Sequence, residues 1–152
     1  MASRWLMMLA ALLFAVAAQA TENPATLYTQ GRQLYAAGNF TAAVTALKKA
    51  AQADAYNSEY EHWLGKAYGR LAQKSSWLSA ISLAEKARDA LKRAVQLDPN
   101  NSQAIADLIQ YYRSAPGFLG GSAVKADKLE QRLEMLQGKA QNETIPRLSR
   151  SD

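Results

Sequence analysis

The sequence predicts an all-α protein whose helices come in pairs, on three observations. From residue 24 to residue 138, alanine and leucine are interleaved with Lys, Glu, Gln and Arg, the strong helix formers, and the Val/Ile/Thr alternation of strands is missing. Helix stops stand at regular places: Gly38-Asn39, Asp98-Pro99-Asn100 and Gly120-Gly121-Ser122. Small and large residues also return together, in phase, along the chain.

The N-terminus is set aside before the fold is read. Arg4 and the terminal amine give a small positive start, residues 5–16 form an unbroken apolar run, and Ala18-Gln19-Ala20 supplies the small-x-small pattern cut by signal peptidase. The run meets Gln19 and Glu22 too soon for a spanning helix of about 20 apolar residues. Residues 1–20 are therefore expected to be a cleaved signal peptide. They leave 132 residues, room for one domain with a core of its own, and a formal charge of +4 once Arg4 is gone. The charges are interspersed, which does not call for nucleic acid. With no cysteine, the protein has no disulfide, a lipid anchor of the bacterial lipoprotein kind is not expected, and stability is expected to rest on helix packing. The expected location is the periplasm, with secretion as second choice, in a form that has no dealings with a membrane.

Each helix has its own signals. Asn23-Pro24 offers a cap followed by proline at the first helical position, and Leu27, Gly31 and Leu34 recur until Gly38. Phe40, Ala43, Leu47 and Ala50 make the stripe of a second helix. Ser58-x-x-Glu61 has the form of a capping box and opens a third. A long fourth ends at Asp98-Pro99. Ser102 caps a fifth. A sixth follows Ser122 and stops near Gly138, leaving residues 138–152 as a polar tail that frays.

Gly31…Leu34…Gly38-x-Phe40-x-x-Ala43-x-x-x-Leu47-x-x-Ala50 is repeated in Leu64-Gly65-x-x-Tyr68 and Ala87-x-x-x-Leu91-x-x-Ala94-x-x-x-x-Pro99, and begins again at Leu108-x-x-x-Tyr112. Small residues at Gly31, Ala43, Gly65 and Ala87 let paired helices approach, and Leu34, Leu47, Tyr68 and Leu91 fill the space beside them. Over residues 24–137 this pattern resembles the tetratricopeptide repeat, whose period is about 34 residues. The middle of the chain, with Ala115-Pro116-Gly117-Phe118-Leu119-Gly120-Gly121, is similar to poorly characterised bacterial exported proteins of that class. The resemblance implies a short right-handed superhelix of three helix pairs. The spacing from Gly31 to Ala43 is 12 residues and from Gly65 to Ala87 is 22, so the second repeat carries ten extra, within 69–82. A further insertion occupies 114–121. Both are left open between lids, loops and lengthened helices.

Catalysis finds little support. There is no cysteine and His62 is the only histidine, so neither thiol chemistry nor a histidine metal cluster is available, and beside Trp63 His62 reads as a packing or surface residue. Glu59 and Glu61, two apart on a helix, point in different directions. No metal, cofactor or enzymatic role is expected. Gly120, Gly121, Ser122 and Lys125 form a candidate anion loop at a helix start, against the plainer reading of a tight turn capped by Ser122.

The resemblance implies that the first helix of each pair lines a concave face. That places Tyr28, Arg32 and Tyr35, then His62 and Lys66, then Gln110 and Arg113 in one basic and aromatic groove, each set at i, i+3/i+4 spacing. Such a groove suits a protein segment with acidic side chains or a free C-terminal carboxylate. The expected function is an exported adaptor. The alternatives are a carrier of a small anionic ligand through the Gly120-Gly121 loop and a structural protein that self-associates, as a homodimer, around Trp77 and Phe118.

Overall fold

A computed structural model describes residues 22–144. The expected signal peptide and the last eight residues of the expected tail lie outside the described residues. Those described form helices and no strand: α1 (Pro24–Ala36), α2 (Phe40–Ala53), α3 (Ser58–Gln73), α4 (Trp77–Leu97), α5 (Ser102–Ser114), a single 3-10 turn (Gly117–Leu119) and α6 (Ala123–Thr144). Every helix packs on the next one in sequence, and α1 also touches α3.

Asparagine opens four of these helices. The side chain of Asn23 accepts the amide hydrogen of Ala25, Asn39 that of Ala42, Asn57 those of Glu59 and Tyr60, and Asn101 that of Ala104. Each satisfies a donor that the first turn cannot pair internally. The caps of α3 and α5 thus lie one residue before the serines expected to supply them. Ser58 is the first helical residue instead, and its hydroxyl donates to the carbonyl of Ala94 at 3.0 Å, tying the start of α3 to the end of α4. Gly38 closes α1 at φ 77°, a left-handed turn that lets the amide of Asn39 reach back to the carbonyl of Leu34 at 2.9 Å. Gly138 does not stop α6, which continues to Thr144. An isolated glycine lowers helix stability by about 1 kcal/mol but leaves the hydrogen-bond ladder intact, and the next residues, Lys139-Ala140-Gln141, are good helix formers.

The core falls into two clusters. Leu27, Ala43, Leu47, Tyr60, Leu64 and Ala87 belong to the one between α1 and α4, and Leu91, Ile105, Leu108, Tyr112 and Ala126 to the one between α4 and α6. The expected pairing of small on large is visible at two equivalent places. A Cβ on Gly31 would lie 2.5 Å from Cγ of Leu47, and a Cβ on Gly65 would lie 2.8 Å from Cγ of Leu91. Both glycines sit where two helices come closer than any side chain allows.

The ten extra residues of the second pair are helix. α3 has 16 residues against 13 in α1, and α4 has 21 against 14 in α2, which accounts for all ten. The 114–121 insertion is a compact turn instead. The carbonyl of Leu119 accepts from Arg88 Nη1 of α4 at 3.1 Å and from the hydroxyl of Tyr111 at 2.9 Å.

The helices alternate in direction, so the connections gather at two edges. At one, the ring of Phe40, which starts α2, lies beneath Arg70 and Lys74 from the end of α3, and the Leu119 turn clasps α4. At the other, Arg93 reaches the carbonyl of Ala55 and Asn101 reaches Ser58.

Candidate functional site

The face shared by α1, α3 and α5 is organised around Trp63. The guanidinium of Arg32 lies over its indole ring at 4.6 Å and the ammonium of Lys66 at 4.4 Å, while Tyr35 meets it edge-on at 5.5 Å and 89°. Stacking on an aromatic face orients a cation without neutralising it. Tyr28 extends the aromatic surface, with its ring 4.9 Å from that of Tyr60 and 5.5 Å from the Arg32 guanidinium.

Beside Tyr35 a cavity of about 330 Å³ opens between α3 and α5, walled by Lys66, Arg70, Gln73, Asp107, Gln110 and Tyr111. Gly65 and Gly69 lie on its α3 side, where side chains would otherwise fill it. Tyr35 also borders a second depression with Arg32 and Trp63, so its ring is the wall between the two. Burial pushes the phenols of Tyr35 and Tyr28 above their ordinary range; Arg70 opposes this for Tyr35, and for Tyr28 Glu59 adds to it while Arg32 opposes. Both hydroxyls therefore stay protonated donors in neutral solution.

Tyr28, Arg32, Tyr35, Lys66 and Gln110 thus come to one face. His62 and Arg113, predicted beside them, have other roles. The His62 side chain is fully buried: Nε2 lies 2.7 Å from Oδ2 of Asp107 on α5, and Nδ1 lies 3.4 Å from Oε2 of Glu59. No docked partner can reach it. It joins α3 to α5 and fixes the carboxylate of Asp107, which also stands 3.9 Å from the Lys66 ammonium. Arg113 faces α6, where it pairs with Asp127 at 2.6 Å and Glu130 at 2.8 Å. At 100° per residue it points about 110° away from the mean direction of residues 107, 110, 111 and 114. Its three-residue spacing from Gln110 put it on the wrong side of the helix.

Trp63, Arg70 and Asp107 are the residues that sequence reasoning missed. Arg70 follows Lys66 by four and Trp63 precedes it by three, so the spacing rule that selected Lys66 also reaches them. Asp107 precedes Gln110 by three, but its link to His62 spans 45 residues and has no local signal.

In the candidate anion loop, the glycines have structural work. The amide of Gly120 donates to Gly117, that of Gly121 to Pro116 and that of Ser122 to Tyr112, at 2.9, 3.1 and 2.9 Å. These three hydrogens are not free for a ligand. Gly120 has φ 88°, and a Cβ on Gly121 would collide with the carbonyl of Ala115. The Ser122 hydroxyl accepts from the amide of Lys125 at 3.3 Å, and the ammonium of Lys125 lies over Tyr112 at 5.5 Å. Loop and helix start are built as a capped turn.

No family model matches the chain, and no curated protein matches it.

Proposed function

We propose that the protein is an exported, non-enzymatic adaptor of the tetratricopeptide type, which captures a carboxylate-bearing protein segment on a concave side made by α1, α3 and α5. The observation that carries this reading is the charge arrangement around Trp63 and the adjoining cavity. Three cations, Arg32, Lys66 and Arg70, share this face with two carboxylates, Asp107 and Glu59, both of which His62 contacts. An acidic side chain or a free chain terminus supplies the missing negative charge. Lys66 and Arg70 would donate charge-assisted hydrogen bonds to it, with the Tyr35 hydroxyl beside them. Gln110 and Asp107 offer oxygen acceptors for the amide hydrogens of an extended segment. Export rests on the leader pattern that ends at Ala18-Gln19-Ala20.

The test is binding of a pool of acidic peptides with free C-termini to the wild type and to the double charge reversal Arg32→Glu, Lys66→Glu. Losing one charge-assisted contact is worth about 2 kcal/mol, close to thirtyfold in Kd, so the double variant should lose binding by at least that factor with helicity unchanged. Capture at wild-type strength by a fully helical variant would remove the groove from the account.

A further inference from the structure

The edge at which α3 turns into α4 and α5 runs into the Leu119 turn exposes large apolar side chains. Trp77 is 69% exposed, Leu78 77% and Phe118 74%, and Val124 follows in the first turn of α6 at 64%. Large apolar groups left in water, here with Trp77 and Leu78 adjacent at the tip of the α3–α4 hairpin, mark a surface that is covered in use. Neither residues 62–84 nor residues 108–126 contain an Asp or Glu, whereas they do contain Arg70, Lys74 and Lys125. The carboxylates lie elsewhere. Asp54, Glu59 and Asp98 belong to the opposite edge, Glu85 comes two turns into α4, Asp89 is paired with Arg88 at 2.9 Å, and Asp127, one turn after Val124, is paired with Arg113 at 2.6 Å.

We infer that this edge docks on the surface of an anionic lipid bilayer. The hairpin of α3 and α4 carries the ten extra helical residues, five per arm on average, which at 1.5 Å each projects its tip about 7.5 Å beyond the level reached by α1 and α2. That matches the depth of roughly 5–10 Å at which apolar side chains enter the headgroup region. Tryptophan at the tip suits the boundary between headgroups and acyl chains, where its amphipathic ring is favoured. Lys74, three residues before Trp77, meets anionic headgroups as the tip enters, and the lack of carboxylates in residues 62–84 removes the opposing repulsion. Among the described residues no helix is long and apolar enough to cross a membrane. Docking of this edge departs from the expectation of a processed chain without membrane contact. The surface is distinct from the Trp63 groove, which stays open to a partner while the tip is held by lipid.

The chain from Thr21 onward, the form expected after removal of the leader, is used for the test, because the apolar leader would itself enter lipid. Its helicity is verified by circular dichroism. Flotation with phosphatidylglycerol-containing vesicles should carry the protein up, and pure phosphatidylcholine vesicles should not. Trp77→Ser with Leu78→Ser should lower the partition coefficient about tenfold or more, Phe118→Ser and Lys74→Glu should each lower it less, and all are surface changes compatible with folding. Spin-labelled lipid should quench tryptophan fluorescence in the wild type and not in the Trp77→Ser, Leu78→Ser chain. The inference is overturned by absence of binding to anionic vesicles, or by equal binding of the double variant. Concentration-dependent dimerisation that requires Trp77 and Leu78, without vesicle binding, would also overturn it and assign the tip to a second copy of the chain.

Discussion

Replacing Gly31 with alanine asks whether the helices of the first pair are as close as described. Carbon atoms in contact prefer about 3.5–4.0 Å. The new Cβ would meet Cγ of Leu47 at 2.5 Å, Cδ2 at 2.8 Å and the backbone nitrogen at 3.3 Å. Leu47 is fully buried and has no open space to retreat into, so relief requires α1 to move from α2 by about 1 Å. Overpacking of this kind destabilises by about 1–3 kcal/mol, and the better helix propensity of alanine returns about 1 kcal/mol. The net expectation is a loss of up to about 2 kcal/mol, as much as about 8 °C in Tm for a domain of this size. Gly69→Ala is the matched control: a Cβ there meets nothing within 4 Å, so only the propensity gain remains and Tm rises by about 2–4 °C. Both are read by thermal denaturation followed at 222 nm. If Gly31→Ala and Gly69→Ala shift Tm in the same upward direction, the small-on-large contact between α1 and α2 is not there.

Other perturbations separate structural from binding roles. His62→Ala should destabilise by about 2–4 kcal/mol in urea denaturation, since it opens a cavity between α3 and α5 and strips Asp107 of its 2.7 Å partner; an unchanged midpoint would show that the buried imidazole is not a link between the helices. Burial raises the Glu61 carboxyl above its ordinary range, against the lowering effect of Arg93. The folded chain then holds that proton more tightly than the unfolded one, so stability from this group is present at low pH and lost as pH rises through the folded value. Glu61→Gln should therefore raise stability at neutral pH, by less than about 1 kcal/mol because the site is only partly buried, and the gain should vanish in acid; a lower Tm at neutral pH would contradict this. Arg113→Ala should speed amide hydrogen exchange at the start of α6, next to Asp127 and Glu130, and leave peptide binding unchanged. Weakened binding with unaltered exchange would return Arg113 to the groove.

Much of the helical layout was legible because its signals are local. Asn23-Pro24, Gly38 and Asp98-Pro99 mark helix ends through capping and backbone conformation, and they stand where those rules place them. Ser58 and Ser102 misled by one residue because an asparagine precedes each, and an asparagine carbonyl caps as well as a serine hydroxyl. Gly138 misled because a glycine ends a helix only where the chain takes a left-handed turn, as at Gly38. The ten extra residues could be counted in sequence, but lengthened helices and a lid give the same count. Tyr28, Arg32, Tyr35, Lys66 and Gln110 follow from helical periodicity. Asp107 beside His62 depends on α5 lying against α3, and Arg113 beside Asp127 and Glu130 on where α6 returns. Those are tertiary facts without a local pattern.

The most direct measurement is an amide and side-chain chemical-shift titration with an acidic peptide, run once with a free C-terminus and once amidated. Saturable shifts are predicted at the Trp63 indole N–H, the Gln110 and Gln73 amides and the backbone around Lys66 and Arg70, weakened when the terminus is blocked or the acidic residues are replaced. Shifts confined to α2, α4 or α6, or no shifts at millimolar peptide, would contradict a binding groove on α1, α3 and α5.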